Sequence, residues 1–150
     1  MKNTLKTLFG ALAFLTLLSA PAGENLFDSA KIIPGKYGTW DAETKTVRVS
    51  IPHGTKVSNA TEGVRFVPDN AKFAGKTVKF SFKIKTEDVR SVGGKNFHNA
   101  KLLLAGATKN DPYWRGSKGF TGTNDWTEVV WRISFYGDNI RLAAIFGLQF

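Results

Sequence analysis

Gly119-Phe-Thr-Gly-Thr-Asn-Asp-Trp-Thr-Glu128 leads into two alternating segments, Val129 to Tyr136 and Ile140 to Phe150. In the first, Val129, Trp131, Ile133 and Phe135 share one face, and Val130, Arg132, Ser134 and Tyr136 share the other. In the second, Ile140, Leu142, Ala144, Phe146, Leu148 and Phe150 fall on one side. A two-residue period belongs to a strand with one buried face. Gly137-Asp-Asn139 between the segments predicts a hairpin turn. The Gly119 to Glu128 stretch reads as the corner that sets the register of that hairpin. Trp126 is expected to anchor it in the core, and Trp131 to lie on the apolar face.

The same period recurs upstream. Val78, Phe80, Phe82 and Ile84 alternate with Lys79, Ser81, Lys83 and Lys85, so Thr77 to Lys85 predicts a strand with a solvated lysine face. Thr44 to Ile51 alternates through Val47, Val49 and Ile51, and Val64 to Val67, Tyr37 to Trp40 and Ile32-Ile33 are shorter extended pieces. Ala100 to Ala105 suits a central strand, and Gly23 to Asp28 an opening one. Pro34-Gly35, Pro52-His53-Gly54, Pro68-Asp69-Asn70 and Gly93-Gly94 punctuate these runs. Asn110 to Gly119, dense in turn residues, reads as a long loop that presents Tyr113 and Trp114. No sustained helical repeat follows residue 22. Many short strands with turns between them predict an all-β fold, an antiparallel β-sandwich of the jelly-roll kind, with a barrel as the alternative.

Met1 to Ala22 has the parts of an export signal. Lys2 and Lys6 form a positive start, Leu8 to Leu18 is an apolar run, and Ala20-Pro21-Ala22 offers small residues for cleavage near Ala22. The run is shorter than the roughly 20 apolar residues of a membrane span. A secreted or periplasmic domain of residues 23–150 is therefore expected, with no membrane span. The chain has no cysteine, which excludes disulfides, thiolate metal sites and a cysteine nucleophile. Lys and Arg number 21 against 12 Asp and Glu, a formal charge of +9 in 150 residues. Such a balance favours anionic partners, and an exported chain rarely meets nucleic acid.

Signals for catalysis are sparse. His53 and His98 lie far apart, and no His-x-x-x-His pair or Gly-x-Ser-x-Gly elbow is present. Glu43 and Glu87-Asp88 sit in polar segments unlike the paired acids of glycoside hydrolysis. Tyr113, His98 and Arg115 are the trio on which a polysaccharide lyase would rest. Binding is better motivated, because sugars present C–H faces that stack on Trp and Tyr while planar polar groups take their hydroxyls. The candidate ligand-binding residues are Trp114, Tyr113, Arg115, Trp40, His98 and Tyr136. For Trp114 and Trp40, packing against the core is the competing role.

Phe120-Thr-Gly-Thr-Asn-Asp-Trp126-Thr, the closing Arg141-Leu-Ala-Ala-Ile-Phe-Gly-Leu-Gln, the opening Asn25-Leu-Phe and Ala74-Gly-Lys-Thr-Val-Lys-Phe-Ser-Phe-Lys-Ile-Lys85 together resemble jelly-roll carbohydrate-binding modules of secreted bacterial glycan-degrading enzymes. The likeness spans about residues 24 to 150. It implies noncatalytic binding of a polysaccharide, an acidic one on the charge argument, with no required cofactor. Such modules usually close with a further strand bearing an aromatic residue and one or two Asp, and this chain ends at Phe150 while still alternating. The module is therefore truncated before its last strand, or Ile140 to Phe150 is itself that strand. The resemblance also implies a structural calcium, for which Glu24 and Asp28 are the carboxylates that could contribute near the N-terminus. A structural or adhesion domain of the cell envelope is the alternative function.

Overall fold

The computed structural model describes residues 12–14, 25, 27–55, 61–91, 95–107, 112–136 and 141–149, with residues 12–14, 107, 112 and 113 described by their backbone alone. Among the described residues the strands are β1 (Leu12–Phe14), β2 (Lys31–Pro34), β3 (Gly38–Asp41), β4 (Thr46–Val49), β5 (Thr61–Val67), β6 (Thr77–Val89), β7 (Ala100–Ala107), β8 (Pro112–Gly116), β9 (Gly122–Ser134) and β10 (Arg141–Gln149). They form two antiparallel five-stranded sheets, the first ordered β3-β4-β1-β6-β9 and the second β2-β5-β10-β7-β8. The fold is an all-β sandwich.

The core lies between the sheets. Val47, Val49, Phe80, Phe82 and Ile84 of the first sheet meet Val64, Phe66, Leu102, Leu104, Ala144 and Phe146 of the second, all buried in one cluster. Aromatic rings join the layers, with Phe82 edge-on to Phe146 at 5.5 Å between centroids and Phe27 bridging Phe66 at 5.5 Å and Phe80 at 6.1 Å. Each side chain of this kind contributes about 1.5–3 kcal/mol by leaving water. The alternation in Thr77 to Lys85 is realised as expected: Phe80, Phe82 and Ile84 are buried, and Lys79, Lys83 and Lys85 are exposed.

Several expectations are corrected. Gly119 to Glu128 is no corner, because from Gly122 onward it is the first half of the long strand β9. Trp126 is not a core anchor. It has the parity of Glu128, Val130 and Arg132, and it stays 37 % exposed. Trp131 does pack against the core, 5.6 Å from Phe80. Nor do the last two segments form a hairpin: β9 pairs with β6 in the first sheet, and β10 pairs with β5 and β7 in the second. The reason lies in their second faces. The other face of β9 carries exposed Glu128, Val130 and Arg132, which suits a sheet edge, whereas that of β10 carries Ala143 and buried Ile145, which suits a central lane. The Gly137-Asp-Asn139 turn lies outside the described residues.

Residues 27–29 form a turn instead of an opening strand, with Asp28 and Ala30 donating N–H to the Asn25 and Phe27 carbonyls at 3.1 Å. Leu12–Phe14, inside the apolar run read as a leader, forms β1 between β4 and β6. The Ala20-Pro21-Ala22 cleavage site and Gly93-Gly94 fall outside the described residues.

The β6–β9 pairing shifts register between Ile84 and Thr86 and again before Val89, where Asp88 adopts φ 49°. Asn124 fills the irregularity. Its Nδ2 donates to the buried Thr86 Oγ1 at 2.8 Å and to the Thr121 carbonyl at 2.8 Å. Asn124→Ala strands that hydroxyl in a dry site and is expected to cost about 1–2 kcal/mol, read as a lower urea midpoint with an unchanged slope.

Candidate functional site

Asn110 to Gly119 is a loop by composition, yet its middle is the edge strand β8, which pairs with β7. Strand pairing changes the meaning of Tyr113-Trp114-Arg115, because successive residues of a strand point to opposite faces. Trp114 lies opposite Ala105, and Arg115 lies opposite Leu104. Leu102 and Leu104 point into the core, so Trp114 shares the outer face of the second sheet with Leu103 and Ala105. It is 54 % exposed there. Arg115 belongs to the other face at the sheet edge, where it is also exposed. Tyr113 is described by its backbone alone.

Register across the second sheet assembles the rest of this face. One row runs Ile33, Arg65, Ile145, Leu103, Gly116, and the next places Trp114 beside Ala105 and Ala143. Leu103 and Ile145 are each only 5 % exposed yet lie outside the core cluster, so they form an apolar floor on the outer side. Strands from β8 to β5 span three spacings, about 14 Å. Lys31, Arg65 and Arg141 occupy outward positions, and no Asp or Glu does among the described residues of these strands. Lys101 shares this outward parity, but its ammonium is engaged. Its stem passes over Gly116, which leaves room for it, and its Nζ donates to the Phe97 carbonyl at 2.9 Å; burial pushes its pKa down.

The remaining sequence candidates do not join this face. Trp40 is half-buried and stands edge-on to Phe66 at 5.1 Å, so its ring packs against the core. His98 is 8 % exposed, with its ring 4.6 Å from that of Phe97. Tyr136 is 86 % exposed but follows β9 in the first sheet. His98 precedes the start of β7, and Arg115 lies opposite Leu104, about 13 Å further along that strand. The Tyr113, His98 and Arg115 trio is therefore not drawn together. Asp28 accepts from Asn25 Nδ2 at 2.6 Å and faces Lys45 Nζ at 3.5 Å. Glu24 lies outside the described residues. Among the described residues, no group of three or more His, Asp or Glu is placed to hold a metal ion.

Sequence reading missed Arg65, Arg141 and Ile33. The parity of Arg65 between buried Val64 and Phe66 marks it as outward, but nothing local says that Trp114 lies three strands away on the same side.

The opposite face of the molecule is basic. Lys79 stands opposite Arg132 and Lys83 opposite Glu128, while Lys85 pairs with Asp125 at 3.3 Å. The Trp126 backbone N–H and then Lys85 hold the Asp125 carboxyl below its usual pKa. No described helix is long and apolar enough to cross a membrane. No protein-family model, characterised protein or solved structure matches this chain.

Proposed function

We propose that the protein is a noncatalytic polysaccharide-binding module that acts outside the cytoplasm and holds an acidic glycan across the outer face of its second sheet. The observation that carries this reading is Trp114, half-exposed on a paired strand beside a face with cations and no outward carboxylate. A sugar ring stacks its C–H face on the indole, and Arg65 and Arg141 donate to carboxylate or sulfate groups. Seating the aromatic ring on a strand fixes it before binding, so less side-chain entropy is lost. The placement of consecutive strands β9 and β10 in opposite sheets supports the jelly-roll arrangement that the resemblance implies. The positive start at Lys2 and Lys6 and the small residues Ala20 to Ala22 are the sequence features that support export.

Trp114→Ala is expected to weaken binding to an acidic polysaccharide by about tenfold in affinity electrophoresis, near the value of one aromatic contact. Arg65→Gln should weaken acidic glycans more than neutral ones. If the unmodified protein binds no polysaccharide on a glycan array, or if Trp114→Ala binds equally well, the reading fails. New reducing ends or unsaturated products on incubation with acidic polysaccharides would instead favour an enzyme.

A further inference from the structure

Each sheet has two edge strands, and three of the four are short or carry proline. β3 has four residues, β2 has four and ends in Pro34, and β8 has five and begins with Pro112. β9 is the exception, a thirteen-residue strand without proline that pairs with β6 alone among the described strands. Its register fixes which main-chain groups face the open edge. The Phe135 N–H donates to the Lys76 carbonyl at 2.9 Å, and the pairing runs in unbroken register from Ser134 opposite Thr77 to Thr127 opposite Ile84. Antiparallel neighbours exchange bonds at alternate residues, so Thr127, Val129, Trp131 and Ile133 turn their N–H and C=O toward β6. Glu128, Val130, Arg132 and Ser134 turn theirs to the open edge. The Trp126 N–H belongs to the same set but donates to the Asp125 carboxylate at 2.8 Å, which closes that end.

Glu128, Val130 and Arg132 also share the outer face of the first sheet, where all three are exposed. The cross-strand neighbour of Arg132 on β6 is a like charge, Lys79. We infer that the β9 edge is a homodimer interface, at which a second copy of this chain adds its own β9 antiparallel about a two-fold axis at Val130. Glu128 then lies opposite the partner's Arg132, Arg132 lies opposite the partner's Glu128, and the two exposed valines meet on the axis. Charges on an edge strand ordinarily deter pairing, and here they select one register. An axis at residue 128 or 132 would oppose like charges, and an axis at 129 or 131 would set both charges against uncharged residues. On the inner side, half-buried Trp131 gains the partner's Val129 as a neighbour. The joined first sheets leave the outer face bearing Trp114 uncovered, so the interface is independent of the glycan reading.

The test is sedimentation velocity of the full chain across about 5–500 μM, the range in which a small interface dissociates. A reversible dimer that weakens as salt rises is expected. Glu128→Arg alone and Arg132→Glu alone each set like charges opposite one another twice, by symmetry, and each should raise the dissociation constant about tenfold. An equimolar mixture of the two variants should recover the dimer, because each charge then meets its opposite in the other protein. Val130→Pro removes an edge N–H that β6 does not use and should leave a folded monomer. Hydrogen exchange should slow with rising protein concentration at Glu128, Val130 and Arg132 and stay constant at Val129 and Trp131. A monomer at every concentration, a dimer untouched by the single charge variants, or a mixture that fails to recover overturns the proposal. Should Val130→Pro fail to fold, the charge variants decide alone.

Discussion

Phe66→Ala is expected to lower stability by about 4 kcal/mol, within the usual range for emptying a buried aromatic site. Phe66 is 1 % exposed and stands at the junction of the two layers. Its ring meets Trp40 at 5.1 Å, Phe27 at 5.5 Å and Phe146 at 5.4 Å, each in an edge-to-face arrangement. Truncation removes the transfer energy of the ring and also leaves three aromatic neighbours facing a void. Those neighbours come from β3, from the turn before β2 and from β10, so none can close the gap without moving its own element. Urea denaturation should show a lower midpoint with a similar slope, and the thermal midpoint should fall by roughly 15 °C. A loss below about 1.5 kcal/mol would show that the layers are not packed through this ring.

Gly63→Ala is expected to cost about 3 kcal/mol, although adding a methyl group to a strand glycine ordinarily helps. The ordinary gain is about 0.5–1 kcal/mol, from restricting the unfolded chain and from better strand propensity. Here sterics outweigh it. A Cβ on Gly63 would collide with the Phe146 carbonyl oxygen and lie 2.8 Å from the Gly147 Cα, and a Cβ on Gly147 would collide with the Glu62 carbonyl. The backbones of β5 and β10 approach too closely there for any side chain. The Gly63 carbonyl also accepts from the Gly35 N–H at 2.8 Å, which ties β2 to the same point. Since all the nearby atoms are backbone, relief requires β5 to move off β10, an overpacking cost of about 1–3 kcal/mol or more. Amide exchange should accelerate across the β5–β10 pairing. A stabilised or unchanged Gly63→Ala protein would contradict the close approach.

Trp126 and Trp114 illustrate how far residue patterns reach. Trp126 follows a Gly-Thr-Asn-Asp run that reads as a turn, so its own strand parity is overlooked; extending the alternation of Val129 to Phe135 backward by three residues puts it outside. Trp114 is exposed, but the loop-like composition around it hides the pairing of β8 with β7. Once that strand forms, Arg115 turns to the other face, and the cations on the indole's side of the sheet become Arg65 and Arg141. Trp40 shows the opposite error of reach: beside Asp41 it looks half-polar, and only Phe66, twenty-six residues on in the chain, turns it into a core contact.

The sequence by itself determined the strands with clear alternation, such as Thr77 to Lys85 and Val129 to Phe135, and which side of them is buried, because the two-residue period is a local property of the extended backbone and its side chains. It likewise determined the excess of cations and the absence of disulfide chemistry. Strand order was decided only by the tertiary structure. β9 and β10 carry equally clear apolar faces, and local geometry is indifferent to whether they meet as neighbours or oppose each other across a core. The choice rests on their second faces and on the strands already waiting at β6, β5 and β7. The same long-range pairing brings Trp114, Arg65 and Arg141 to one surface.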